Sequence, residues 1–422
     1  VSEQPTCRKT YKYKLQPTPE QERAMERVLL LCRQLYNVAL EQRITAWQRR
    51  HVSVSRYQQE AELKAIRAEF PEYAAVYSHV LQDVLARLER TYQAFFRRVQ
   101  RGEKAGFPRF KGHDRYHSFT YKEYGNGARL DHEFLVLSKI GRITVRWSRP
   151  IEGAPKMVTV RREADGWYVT ISCTEVPLKL LPLTGVDTGI DIGLESFATL
   201  ADGEPIANPR IFRVAERHLR RAQRRVSRRK KGSRRRQKAV HLLARAHQRV
   251  LQTRADFHHK TALALLRHYD TIYHEDLQTA NMLRNHHLAK SIADAGWSTF
   301  LSILSFKAAE AGKTVVAVPP AYTSQACSGC GVLVHKGLSV RWDECPDCGT
   351  SLHRDLNAAL NILRLGTQRR TAGAGRSGAN VTRWGERSLS IRGDSSPAEC
   401  QEARCDATGQ NGSEGQQEGR AL

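Results

Sequence analysis

No run of eighteen or more apolar residues occurs in the chain, and its first residues show no charged segment followed by an apolar core. A membrane-spanning helix and a secretory leader are therefore not expected, and the composition reads as that of a soluble intracellular protein. Acidic residues are scarce: 43 Asp and Glu against 68 Lys and Arg leave a formal net charge of +25, in a chain that is still 40% hydrophobic. Such an excess calls for a polyanionic partner, and nucleic acid is the default. The nine cysteines are an odd number that suits a disulfide framework poorly, and an intracellular compartment keeps thiols reduced. Internal repeats are not evident. What the chain does have is length: 422 residues are enough for roughly two to four domains with real hydrophobic cores.

Tyr11 to Leu15 alternates like a short strand, after which Thr18, Pro19 and Gln21 form a helix start with an N-cap, a first-turn proline and a reciprocal glutamine. Apolar residues then recur at three and four (Leu29, Leu30, Cys32, Leu35, Tyr36, Ala39, Leu40; later Val80, Val84, Leu88, Tyr92, Phe95), predicting a packed helical region over 19–100. Gly106-Phe-Pro-Arg-Phe110 breaks that pattern. Alternation at Ile143 to Trp147, Met157 to Val160 and Trp167 to Thr174, with Asp165-Gly166 as a hairpin signal, predicts a sheet carrying the helices as an insertion. Pro182 to Thr184 reads as a linker, and strands are expected at Val186 to Ile192, Phe197 to Leu200, Thr271 to Tyr273 and Thr314 to Val318. Arg213 to Arg254 holds seventeen lysines and arginines and one acid, interrupted at Lys231-Gly232-Ser233, and predicts a basic helical hairpin. Ala358 to Leu365 is a short helix, and beyond Gly366 the composition predicts disorder.

Four of the cysteines form two tight pairs, Cys327-Ser-Gly-Cys330 and Cys345-Pro-Asp-Cys348, each followed by Gly and separated by fourteen residues. Two such knuckles supply four thiolates at the corners of a tetrahedron, and a closed all-cysteine set leaves no position for water, so the metal is a structural zinc. A redox role for one Cys-x-x-Cys is the rival, and the paired ribbon spacing argues against it. Cys32 and Cys173 are expected in the core; Cys7, Cys400 and Cys405 are expected to be solvated.

Nucleases that use two metal ions need several carboxylates converging on Mg²⁺. Asp187 and Asp191 lie on one face of the same strand, about 13 Å apart at ~3.3 Å per residue, too far to ligate one metal pair. Glu275 ends a buried strand, as a ligand or as an ordinary exposed residue. Asp355 precedes a helix, where an acid favoured by the helix dipole is the plainer reading. His353-Arg-Asp-Leu356 matches the start of a protein-kinase catalytic loop, but Leu360 stands where that loop needs Asn, and no glycine-rich phosphate loop is present.

Taken together, Gly189-Ile-Asp-Ile-Gly193 followed by Phe197-Ala198, the segment ending in Glu275, Tyr322-Thr-Ser-Gln-Ala-Cys327, the two cysteine knuckles and Arg354-Asp-Leu-Asn-Ala-Ala-Leu-Asn361 resemble the RuvC-type nuclease half of TnpB. That family comprises insertion-sequence-encoded RNA-guided nucleases ancestral to type V CRISPR effectors. The front half joins the resemblance through Leu15-Gln-Pro-Thr-Pro-Glu-Gln21, Gly106-Phe-Pro-Arg-Phe-Lys111, Arg228-Arg-Lys-Lys-Gly-Ser233 and Asp256-Phe-His-His-Lys260, so that it spans roughly residues 8–365.

The resemblance implies a multidomain α/β architecture. Residues 1–182 would form a β-barrel-like wedge domain with a helical recognition insertion at about 18–105. Residues 183–365 would form an RNase H-like RuvC domain with the basic hairpin at about 213–260 and a zinc ribbon at 322–350, and residues 366–422 a disordered tail. It implies Asp191, Glu275 and Asp355 as the catalytic acids holding two Mg²⁺, leaving Asp187 to open the strand. It further implies a guide RNA from the element's own end, a double-stranded DNA target, a monomer with one RNA, and a prokaryotic cytoplasm near the nucleoid.

A guide–target duplex is recognised through backbone and A-form shape, which asks for distributed positive charge. Arg224, Arg225, Arg228, Arg229, Lys230, Lys231, Arg234, Arg235, Arg236 and Lys238 supply it, against the plainer reading of a solvated basic helix pair. The resemblance puts reading of a short adjacent DNA motif near His79, Gln82 and Tyr121. Phe107, Phe110, Tyr116 and Phe119 are expected as core residues in preference to stacking platforms. Arg369, Arg370 and Arg376 are RNA-contact candidates or simply part of a solvated tail. Two rival functions remain: a DNA-strand-transfer transposase, and a guided repressor that does not cut, which would be expected to lack one of the acids.

Overall fold

Helix starts in the front half are set by local chemistry. The computed structural model describes residues 5–112, 115–335, 337 and 340–374. After β1 (Thr6–Gln16), the Thr18 hydroxyl accepts from the Gln21 N–H at 3.3 Å and the Gln21 side chain accepts from the Thr18 N–H at 2.9 Å, opening α1 (Pro19–Arg50). Ser55 and Gln58 repeat that exchange at the start of α2 (Arg56–Glu69). A single turn, α3 (Pro71–Ala74), leads into α4 (Ser78–Gln100). The buried stripes of α1 and α4, Leu29, Cys32 and Leu35 with Val80, Val84 and Leu88, merge into one core with the sheet. Arg43 is buried within it, its guanidinium donating to Gln59 at 2.9 Å and to Glu89 at 2.8 Å.

That sheet is completed by β2 (Ser118–Tyr121), β3 (Ala128–Asp131), β4 (Phe134–Leu137), β5 (Gly141–Arg146), β6 (Ala154–Glu163) and β7 (Gly166–Pro177). Its order is β2-β6-β7-β1-β5-β4-β3, with every pair antiparallel. The two edges approach each other after β2: the Tyr124 N–H donates to the Lys156 carbonyl and the Gly125 N–H to the Ala128 carbonyl, each at 2.9 Å. One short segment thus touches both β6 and β3, and the sheet is nearly closed.

A second, mixed sheet follows, with β8 (Asp187–Asp191), β9 (Ser196–Leu200), β10 (Pro205–Ala207), β11 (Thr271–Glu275) and β12 (Thr314–Val318) in the order β10-β9-β8-β11-β12. The first three are antiparallel; β11 runs parallel to β8, and β12 parallel to β11. Between them come α5 (Ile211–Ser227), α6 (Arg234–His268), a turn α7 (Thr279–Met282), α8 (His286–Ala295) and α9 (Trp297–Ala311). A ribbon pair, β13 (Trp342–Glu344) and β14 (Ser351–His353), leads into α10 (Arg354–Ala374). Successive strand residues face opposite ways: Ile272 joins the core with Leu265 of α6 and Phe300 of α9, whereas Tyr273 packs with Ile362 of α10. Helices α6 and α9 therefore cover one face, and α10 covers the other.

The two sheets belong to one compact unit. Gln248 of α6 donates to Glu163 at 2.9 Å and to Asp165 at 2.6 Å on the β6–β7 hairpin, and Lys9 of β1 pairs with Glu310 of α9. No helix among the described residues is long and apolar enough to cross a membrane.

The expected loss of order at Gly366 is corrected for residues 366–374. Gly366 lies inside α10, where a Cβ would meet the Tyr273 ring at 2.1 Å, so this glycine permits close approach and does not stop the helix. Residues 375–422 of the expected tail, Arg376, Cys400 and Cys405 among them, lie outside the described residues.

Position 189 is equally tight, since an added Cβ would lie 2.2 Å from the Ala359 carbonyl oxygen and 2.6 Å from the Leu363 nitrogen, both backbone atoms of α10. Gly189→Ala is expected to destabilise the fold by roughly 1–3 kcal/mol through overpacking. Gly106→Ala, where nothing lies within 4 Å, should be near neutral. Equilibrium urea unfolding of the two variants checks this, and equal midpoints would show that α10 yields easily.

Candidate active site and metal centre

Parallel pairing brings the first two acids together. The β8–β11 register matches Ile190 with His274, so the next step along both strands sets Asp191 beside Glu275, at the spacing of neighbouring strands, about 4.8 Å. The third arrives from above. Helix α10 runs antiparallel to β8: its Ala359–Leu363 stretch lies against Gly189, and Arg370 near its end donates to Asp187 at 2.7 Å. Asp355, one turn before Ala359, is thereby carried to the Asp191 end of the strand, in the first turn of α10. Asp187 sits at the opposite end, also accepting from the Thr271 N–H at 3.1 Å, and it opens the strand as expected.

Charge at this site follows from the crowding. Burial, then the Glu275 and Asp355 carboxylates, push the Asp191 carboxyl up to about 8, with Arg354 pulling the other way. Burial also raises Glu275, opposed by the Thr323 hydroxyl, which donates to Glu275 Oε1. A cluster of hard oxygen donors that resists ionisation on its own fits a site for divalent cations.

The four knuckle cysteines also converge. Cys327 Sγ lies 3.6 Å from Cys348 Sγ, and Cys330 Sγ lies 3.5 Å from Cys345 Sγ. A tetrahedron with metal–sulfur bonds of about 2.3 Å has edges of about 3.8 Å, so the thiols are spaced to hold one ion. Among the described residues they are the one group of three or more His, Cys, Asp or Glu whose donor atoms all lie within 4.8 Å, so the carboxylate set is the looser of the two. The Thr350 hydroxyl, 3.0 Å from Cys348 Sγ, and the Thr350 N–H hold that thiol down at about 6.

What sequence reasoning missed is the link between these sites. Asn357 and Asn361, both buried on α10, donate to the Ala326 carbonyl at 2.8 and 2.7 Å; Asn357 accepts from the Ser328 N–H at 2.8 Å, and Asn361 donates to the Thr323 carbonyl at 2.9 Å. The first knuckle is thus bonded to the helix carrying Asp355, and Thr323, which contacts Glu275, is held by Asn361. Two amides four residues apart among Ala358, Ala359 and Ile362 were the available signal.

The basic hairpin is α5 and α6, packed through Leu219, Val226, Ala239 and Val250. Of its ten named cations all are exposed except the half-buried Arg229 and Arg236, and among the described residues none of the ten pairs with a carboxylate. Asp294 of α8, buried, caps α5 by accepting from the Phe212 N–H at 2.7 Å and the Arg213 N–H at 3.2 Å.

Two expectations are corrected. Tyr121 is 2% exposed, stacks on Tyr77 at 5.6 Å and donates to the Ser138 carbonyl at 3.2 Å, so it is a packing residue. Its alternation in β2 turned it inward. Phe107 and Phe110, expected in the core, are exposed, while Tyr116 and Phe119 are buried as expected. His79 and Gln82 are half-buried on α4, with His79 edge-on to Tyr77 at 5.2 Å. Cys32 and Cys173 are buried, and Cys7 is half-buried.

Family models match three segments: a helix-turn-helix domain over residues 7–51, a probable transposase over 172–286, and a Cas12f1-like TNB domain over 297–362. A Streptomyces pristinaespiralis protein named "Putative RNA-guided DNA endonuclease" is 37% identical over 377 residues, covering 87% of this chain and 92% of the relative. The chain belongs to the TnpB family. An Escherichia coli K12 relative named "Putative RNA-guided DNA endonuclease InsQ" is 32% identical over 381 residues, covering 84% of this chain and 92% of the relative. A TnpB-family fold also agrees with a Cas12f1 solved as an sgRNA–target DNA complex, matched with a TM-score of 0.54 at 12% identity over 85% of this chain and 98% of that one.

Because burial and the neighbouring acids raise Asp191 to about 8, its own contribution to stability should fall as pH rises from about 4 toward 8, while buried His258, lowered to about 4, contributes in the opposite direction at the acid end of that window. Asp191→Asn should flatten that fall in thermal melts run with chelator. Parallel wild-type and variant profiles would mean that neither burial nor the neighbouring acids raise Asp191.

Proposed function

We propose that the protein is an RNA-guided DNA endonuclease which cuts both strands of a guide-matched target at a RuvC-like site formed by Asp191, Glu275 and Asp355. The observation that carries this reading is the parallel pairing of β8 with β11, which sets Asp191 beside Glu275 in a TnpB-family chain. The strand order and the helix laid across β8 support an RNase H-like reading of the domain from 183 onward, with residues 1–182 as the wedge domain around its helical insertion.

Asp191 and Glu275 from the sheet and Asp355 from α10 would hold two Mg²⁺ ions. Bound there, the ions would supply a polarised phosphate, an activated water and charge stabilisation for the leaving oxygen. The chain's own part is positioning. Thr323 would orient Glu275, Asn361 of α10 holds Thr323, and Gly189 lets α10 approach closely enough for Asp355 to reach its neighbours. The four thiols would hold a structural zinc that keeps the ribbon, and through Asn357 and Asn361 the acid-bearing helix, in register.

Guide RNA and target DNA would lie on the unpaired cations of α5 and α6, with backbone contacts giving affinity that falls steeply with salt. His79 and Gln82 remain the proposed readers of the adjacent motif. The description of one matching segment as a probable transposase favours a second reading, strand transfer by the same acids.

Protein co-expressed with its element's flanking DNA should co-purify with RNA and, with Mg²⁺, linearise a plasmid bearing the matched target. Asp191→Ala should retain the RNA and lose cutting by at least a hundredfold, about 2.7 kcal/mol of barrier. Joined strands in place of linear plasmid would favour the transposase, and intact plasmid with the wild-type protein would favour the repressor. Zinc should be present at one ion per chain by elemental analysis, and its removal by a strong chelator, followed by exchange into chelator-free buffer with Mg²⁺ restored, should lower both the melting temperature and cutting; a zinc-free protein that cuts normally with Mg²⁺ would remove the ribbon from the mechanism.

A further inference from the structure

Single exposed apolar side chains are ordinary, but a connected group of exposed rings on a strongly charged surface is not. At the end of α4 such a group exists. Phe96 and Phe107 are 54% and 48% exposed, and both lean on the half-buried Phe95, with ring centroids 5.3 Å away in each case. Beneath them Tyr92 is buried and meets Phe96 at 6.1 Å and Phe107 at 5.8 Å. The four rings form one aromatic surface with its outer members open to solvent.

The segment that presents Phe107 is held at both ends. Gly102, at φ +66°, closes α4 with its N–H donating to the Val99 carbonyl at 3.0 Å, and the Glu103 N–H donates to the Arg98 carbonyl at 2.9 Å. On the far side Pro108 is buried, and Lys111 exchanges two hydrogen bonds with Asn37 of α1, at 2.8 and 3.0 Å. A ring held outward on a pinned backbone loses little entropy when something flat lies on it.

Charge chooses the occupant. Residues 93–111 carry six cations and one acid, and Arg97, Arg98, Arg101 and Lys104 are exposed beside the rings. A second copy of this chain would bring its own net +25 toward them. Exposed bases offer what the surface lacks, flat π faces joined by phosphates, and arginine guanidinium groups complement both.

We propose that Phe96 and Phe107, flanked by Arg97, Arg98 and Arg101, form a stacking platform for unpaired bases of a single-stranded nucleic acid. Paired bases present only their edges, so the platform selects strands that are not in a duplex. The identity of the strand in the cell rests on the RNA-guided reading; the stacking itself does not.

The test uses the full chain with EDTA present, so that binding is read apart from cutting. The probes are 15-nucleotide U-rich RNA and T-rich DNA with a central 2-aminopurine, and the same sequences as duplexes. Phe96→Ala/Phe107→Ala should weaken single-strand binding by about tenfold, abolish the 2-aminopurine quenching, and leave duplex binding and the salt slope unchanged. Arg97→Ala/Arg98→Ala should instead lower the salt slope by about 1.4, two phosphates at about 0.7 each. Phe107→Trp should restore quenching in the Phe96→Ala background. Should the alanine pair unfold, Phe107→Leu keeps the apolar volume without the aromatic face and should still reduce quenching.

Unchanged affinity and quenching in the alanine pair would overturn the proposal, as would equal losses on single strands and duplexes. So would intact nucleic-acid binding accompanied by lost binding to vesicles of 30% phosphatidylserine, which would make this a membrane-facing patch. Failure of plasmid cutting in the wild type would leave these readouts standing, so the two readings fail separately.

Discussion

Everything at the candidate active site depends on how closely α10 lies against β8. The contact is backbone to side-chain-free backbone: Gly189 faces Ala359 and Leu363 of the helix, and Gly366 faces the ring of Tyr273 on the neighbouring strand. Two glycines, one on β8 and one on α10, set the distance, and ion pairing at the far end sets the direction, with Arg370 on Asp187. Once the helix is antiparallel to β8 and at that distance, its first turn can only arrive where β8 ends. Asp355 is therefore placed by packing some distance from itself, and a larger side chain at 189 or 366 would act on the acids without touching them.

Electrostatics divides the molecule in two. Among the described residues, exposed cations without a carboxylate partner are dispersed over α5, α6 and the end of α4. The acids are concentrated at a half-buried site, where burial and then the neighbouring carboxylates push Asp191 up to about 8. Dispersed cations attract a long polyanion with little geometric demand, whereas clustered carboxylates hold cations only at defined positions. A polyanion's phosphates and ionised acids would repel one another, and divalent cations held between them would resolve that repulsion.

How much of this was readable without coordinates depended on whether the information is local. Capping residues at Thr18 and Gln21, the paired cysteines and the charge run of the hairpin act within a few residues, and the structure places all of them as read. The bulk of both sheets followed from alternation. The adjacency of Asp191 and Glu275 did not, because it is made by two strands eighty-odd residues apart pairing in parallel, and neither sequence segment states its partner. The resemblance to a known family supplied that adjacency where residue-level reasoning stopped. Gly366 misled because glycine after a helical run is ordinarily a stop, and only the Tyr273 ring shows why it is not one here. Phe107 misled in the opposite way: burial is the usual fate of an aromatic residue, and the pinned segment from Gly102 to Lys111 overrides it.

The ribbon follows the same logic as the helix. A two-stranded β13–β14 pair has too little apolar surface to fold alone, so its order must come from cross-links. Four thiols provide one if they share an ion, and the amides of Asn357 and Asn361 provide another by bonding the first knuckle to α10. Burying two amides in an otherwise apolar helix face would be unfavourable if they lacked partners, yet each is satisfied by backbone groups of the ribbon or of Thr323. These bonds have a direction. They run from the thiol cluster through Ala326 and Thr323 to Glu275, and along α10 to Asp355, so that two of the three acids are held by elements that the ribbon also holds. The ribbon between Glu275 and Asp355 in sequence is thereby a brace on the geometry of the candidate site.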